Sequence, residues 1–66
     1  MDRLQAGDYC RDPERRVYQV LLVSDHRVYL KDILRGTRLV CAEQWVQRLR
    51  PRETVPALMQ AWLEIR

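Results

Sequence analysis

The side chains able to do covalent or acid–base chemistry are few and scattered. His26 is the single histidine, Cys10 and Cys41 lie 31 positions apart, and Ser24 and Thr37 supply hydroxyls at turn-like positions. A nucleophile, a base and a group that orients the base cannot be assembled from this set. Asp25 and Asp32 flank a hairpin without a spacing that suits paired acid–base work, so they read as solvated turn residues. The two glycines, Gly7 and Gly36, are 29 residues apart, so no glycine-rich phosphate loop exists. Structural zinc needs closely spaced Cys and His ligands, and no C-x-x-C is present. The chain reads as a non-enzymatic protein without metal or cofactor, its cysteines reduced and packed.

What remains is chemistry of recognition. Eleven arginines stand against one lysine, Lys31. Arginine presents a planar, permanently charged fork suited to phosphate, carboxylate and aromatic faces. Residues 1–52 carry eleven basic and seven acidic side chains, whereas residues 53–66 carry Glu53 and Glu64 against Arg66. The positive charge therefore belongs to the first three-quarters of the chain. Arg15, Arg16, Arg27, Lys31, Arg35 and Arg38 are interleaved with Tyr18 and Tyr29. Basic groups neutralise phosphates and tyrosine rings stack on bases, so Tyr29 and these six cations form the candidate nucleic-acid site. Against it stands the plainer reading, in which the tyrosines edge the core and the arginines solubilise.

The elements that must position these residues are short. Gly7–Glu14 reads as a strand entering a turn at Asp12-Pro13, because proline restricts its predecessor and lacks a backbone donor. Arg16–Val23 is rich in β-branched and aromatic residues, and its nearly continuous apolar run predicts a central strand covered at least partly on both faces. A polar connection, Ser24–Arg27, leads to the strand Val28–Leu34, then a turn at Arg35-Gly36 and a strand Thr37–Cys41. Alternation puts Tyr29, Lys31 and Ile33 on one face of the third strand, Val28 and Leu30 on the other. Trp45, Val46 and Leu49 follow helical spacing, predicting a short helix or 3₁₀ turn that ends at Arg50-Pro51-Arg52.

The last segment, 54–66, is the clearest helix, with Thr54 as N-cap and an apolar stripe of Val55, Leu58, Met59 and Trp62. Gln60, Ala61 and Glu64 are expected to face away. The stripe is expected to cover an open end of the strand assembly. The alternative is that it projects, with Leu58, Met59 and Trp62 forming a homodimer seam or a helix that docks in a partner's groove.

Residues 7–50 resemble the small SH3-like barrels of the Tudor and KOW kind found in short proteins of phages and mobile elements. The resemblance is carried by Gly7-Asp8-Tyr9, the valine-rich Val17–Val23, the turn Ser24–Arg27, Val28-Tyr29-Leu30-Lys31-Asp32 and Arg35-Gly36-Thr37. It implies a binding module for RNA, DNA or protein. The expectation is one domain, 1–66: a mainly β SH3-like barrel of four to five short strands plus a C-terminal helix. Two functions are carried forward. One is a regulatory module that binds nucleic acid weakly and without sequence preference. The other is a protein-binding adaptor or inhibitor. No apolar window is long enough to span a bilayer and the start lacks a secretory h-region, so the reading is cytoplasmic. A domain of this size buries only about 60% of its unfolded surface, for a net stability of roughly 3–10 kcal/mol.

Overall fold

The computed structural model describes residues 3–64; Met1, Asp2, Ile65, Arg66 and the side chain of Glu64 lie outside the described residues. Five strands form one antiparallel sheet: β1 (Tyr9–Arg11), β2 (Val17–Ser24), β3 (Arg27–Asp32), β4 (Arg38–Ala42) and β5 (Gln47–Arg48). Their spatial order is β4-β3-β2-β1-β5, with a 3₁₀ turn at Glu43–Trp45 between the last two strands. Helix α1 (Pro51–Glu64) follows. The architecture agrees with the expected fold class, short antiparallel strands followed by a C-terminal helix. It is mainly β.

Local chemistry explains the turns. Between β1 and β2, Arg15 N–H donates to the Asp12 carbonyl at 2.9 Å and Arg16 N–H to Asp12 Oδ1 at 2.8 Å. Pro13 supplies the fixed φ of a tight turn's second residue, and Arg15 closes it with φ +69°, a left-handed position usually taken by glycine. The β2–β3 loop is only Asp25-His26, with φ +50° and +64°, as a two-residue type I′ hairpin requires. Ser24 and Arg27, read from sequence as part of the connection, are instead paired strand residues. β3 ends at Asp32 and not at Leu34. The buried Asp32 carboxylate takes the Leu34 and Arg35 N–H groups at 2.9 and 3.0 Å, which bends the chain out of the sheet. Gly36, at φ +73°, completes this turn by donating its N–H to the Asp32 carbonyl at 2.8 Å.

The sheet buries two apolar clusters, one on each face. The first holds Leu4, Cys10, Tyr18, Val20, Val28, Leu30 and Val46. The second, under the helix, holds Val17, Leu49, Ala57 and Ala61, with Tyr9, Ile33, Leu34 and Leu58 packed around it. Pairing slips between Val20 and Leu22, so β2 carries a bulge. Beyond it the strand is not covered on both faces as its apolar run suggested: Leu21 and Leu22 are exposed. Trp45, Val46 and Leu49 do not continue as a helix. Val46 and Leu49 enter different clusters, and Trp45 is exposed.

Helix α1 begins four residues earlier than the Thr54 cap predicts. Pro51 takes its first position, where no intrahelical donor is needed, and Glu53 Oε1 accepts the Arg50 N–H at 3.4 Å. Thr54 is an internal residue whose hydroxyl donates to the Arg50 carbonyl at 2.9 Å. The buried face is Ala57 and Ala61, with Leu58 half-buried at its edge. Ala61 thus packs inward, against expectation, while Val55, Met59, Trp62 and Leu63 are 61–64% exposed. Only Leu49 and Arg50 separate β5 from α1, which holds the helix close to the sheet. Close approach selects the alanine side, because larger side chains there would overpack.

Candidate nucleic-acid interface

The strand register places the basic and aromatic residues of β3 on the face opposite the first cluster. Three rows cross β2, β3 and β4 on that side: Gln19–Lys31–Arg38, Leu22–Tyr29–Val40 and Ser24–Arg27–Ala42. Helix α1 covers the Val17 and Tyr9 end of the same face and leaves these rows open. Tyr29 is 39% exposed, with Leu22 on one side and Val40 on the other at 53% and 50%. Its ring therefore lies in an apolar row bounded on each side by cations. No carboxylate occupies any of the three rows. Arg27, Lys31 and Arg38 form no ion pair among the described residues, unlike Arg3, Arg16, Arg35 and Arg48.

Arg15, Arg16 and Arg35 sit elsewhere. They line a cleft between the β1–β2 turn, the β3–β4 turn and Ala61 of the helix. The seven residues singled out in the sequence thus divide into a sheet-face group, Arg27, Tyr29, Lys31 and Arg38, and a cleft group. Ile33, expected beside Lys31, lies past the end of β3 and packs into the helix cluster. Of the helix residues, Met59 and Trp62 are exposed, whereas Leu58 belongs largely to the second cluster. Leu22, Val40 and Gln19 were missed. Strand alternation from Tyr29 could have located Val40, but the bulge that brings Leu22 opposite Tyr29 has no local signal.

The buried ionisable groups belong to the core. Tyr18 donates its hydroxyl to Asp12 Oδ2 at 3.0 Å, and burial, aided by this bond and the Asp12 charge, pushes its pKa up to about 12. Cys10 is likewise pushed up to about 12 by burial, with Cys41 and Asp12 close enough to add to the effect. Cys41 is raised for the same main reason, and both thiols are free. Thiols held protonated at neutral pH are poor nucleophiles and poor metal ligands. Among the described residues no three His, Cys, Asp or Glu side chains are grouped to hold a metal ion. No described helix is long and apolar enough to cross a membrane.

These features define a small β-rich fold with a C-terminal helix and one open, carboxylate-free basic sheet face. No protein-family model, no curated protein and no solved structure matches the chain.

Proposed function

We propose that this protein is a small binding module for single-stranded nucleic acid, which lies across the exposed face of β2, β3 and β4. The observation that carries the reading is Tyr29 set between Leu22 and Val40 and bounded by Arg27, Lys31 and Arg38, which form no ion pair among the described residues. A base stacks on the tyrosine ring, its flanking phosphates meet the cations, and the apolar neighbours exclude water from the stack. Stacking tolerates any base, so the module has little sequence preference. Three phosphate contacts on a single strand give a log–log salt slope of about −2, or roughly twenty-fold weaker binding between about 50 and 200 mM salt.

The test is fluorescence-anisotropy titration of labelled oligonucleotides. Tyr29→Ala should weaken binding about 5- to 150-fold, the span of a lost stack of roughly 1–3 kcal/mol. Replacing Arg27, Lys31 and Arg38 together with glutamine should flatten the salt slope. Absence of single-strand binding even at low salt would end this reading.

A second reading is favoured by one observation, the exposed stripe Val55, Met59, Trp62 and Leu63 on α1. It supports a protein-binding adaptor that engages its partner through the helix. Trp62→Glu should abolish such an interaction and leave oligonucleotide binding unchanged.

A further inference from the structure

The cleft that gathers the second group of arginines has a ligand chemistry of its own. Its volume is about 190 Å³, and Arg15, Arg16 and Arg35 line it together with Val17, Leu34 and Ala61. An adjoining hollow shares Arg15, Val17 and Ala61 and adds Arg11 and Gln60. We propose that this cleft binds a phosphate dianion, either inorganic phosphate or the terminal monoester of a strand. The inference goes beyond the sheet-face reading and rests on it only for one of the two sources of the phosphate, the end of a bound strand.

The three arginines lie on two separate connections, β1–β2 and β3–β4, so the cleft is flanked by cations from more than one element. A tetrahedral dianion with three acceptor oxygens suits that arrangement. Two carboxylates also line the cleft, and their pairs are loose. Arg16 meets Glu14 at 3.4 Å with both side chains exposed, and Arg35 meets Asp32 at 3.9 Å. The Arg16–Glu14 pair is exposed on both sides and therefore weak, while the Arg35 guanidinium is exposed and stands at the outer limit of contact with the buried Asp32 carboxylate. Arg15 and Arg11 have no ion pair among the described residues.

Arg15 supplies a second, independent observation. It holds φ +69° at a turn position where glycine would be unstrained, yet the position carries an arginine that lines both hollows. Strained backbone at such a place points to a use for the side chain. The cleft also adjoins the sheet face, because Arg35 lies in the β3–β4 connection and Arg38 opens β4, where it pairs with Lys31.

The strain also makes the test clean. Arg15→Gly removes the guanidinium at a position that favours glycine, so the fold is kept. Amide chemical shifts are followed by NMR during titration with inorganic phosphate, and with two short oligonucleotides that differ only in a 5′ phosphate. Wild type, Arg15→Gly and Arg27→Gln are compared at low ionic strength. Saturable shifts at Arg15, Arg16, Arg35 and Gly36 are expected. They should weaken at least fivefold in Arg15→Gly, at an unchanged or higher melting temperature, and persist in Arg27→Gln. An Arg15-dependent gain from the 5′ phosphate identifies a strand end as the source. Arg15-dependent binding of inorganic phosphate without that gain identifies the free anion. Binding that does not saturate, or that Arg15→Gly leaves intact in every titration, overturns the proposal. That result would leave the Tyr29 face to be decided by its own titration.

Discussion

Changing Tyr18 to Phe should destabilise the protein at neutral pH, and the difference from wild type should disappear in strong alkali. Tyr18 is 3% exposed, and its hydroxyl donates to Asp12 Oδ2 at 3.0 Å; Asp12 is itself 5% exposed. A hydrogen bond to a buried charged acceptor contributes about 1.5–3 kcal/mol. The raised pKa sets the pH range over which the contribution is lost, because burial first, and the bond to Asp12 second, disfavour the phenolate. The tyrosine moves from 10.0 to about 12 on folding, and two units correspond to about 2–3 kcal/mol. Because the folded value lies above the unfolded one, this stabilisation is fully present below pH 10. It is lost as the pH rises through 12. Wild type loses it over that window and Tyr18→Phe has nothing to lose. The ionisation of Cys10, also shifted to about 12, is common to both proteins and cancels in the difference. Urea unfolding followed by circular dichroism at pH 8, 10, 11 and 12 measures the gap directly. A gap of about 2 kcal/mol at pH 8 should shrink toward zero at pH 12. A gap that stays constant across the range, or is below about 0.5 kcal/mol at pH 8, would refute a stabilising bond from Tyr18 to Asp12.

Two other substitutions probe the frame that holds the sites. Asp32→Ala removes the acceptor of the Leu34 and Arg35 N–H groups, and should lower stability by about 1–3 kcal/mol. Broadened amide signals over residues 33–37 would accompany that loss, and thermal melting with NMR checks both. Trp62→Ala should leave the fold intact with a small change in melting temperature, because the indole is 64% exposed. A fully buried tryptophan would cost about 3–5 kcal/mol instead. Unfolding of this variant would place Trp62 in the core and contradict the helix orientation.

Local pattern alone carried much of the architecture. The alternation Val28, Leu30 against Tyr29, Lys31 specified both the strand and its two faces, since successive side chains of a strand must point oppositely. Asp12-Pro13 and Gly36 marked two turns through backbone constraints that belong to those residues themselves. The helix, too, was evident from its periodicity, although its face was not. Periodicity says which residues share a side, and does not say which side another element will cover. The larger apolar stripe looked like the buried one, yet the short Leu49-Arg50 link brings α1 so near the sheet that alanines make the contact.

Tertiary pairing likewise decided the site. A register slip at Leu21 brings Leu22 opposite Tyr29, and the separation of β3 from the β1–β2 turn divides the arginines between an open face and a cleft. Cys10 and Cys41, distant in the chain, pack into one core although β2 and β3 stand between their strands in the sheet. Composition and spacing determined what kinds of groups this protein could offer a ligand. Which of them stand together, and which are left without a carboxylate beside them, depends on contacts between residues far apart in sequence. Only the folded chain makes those contacts.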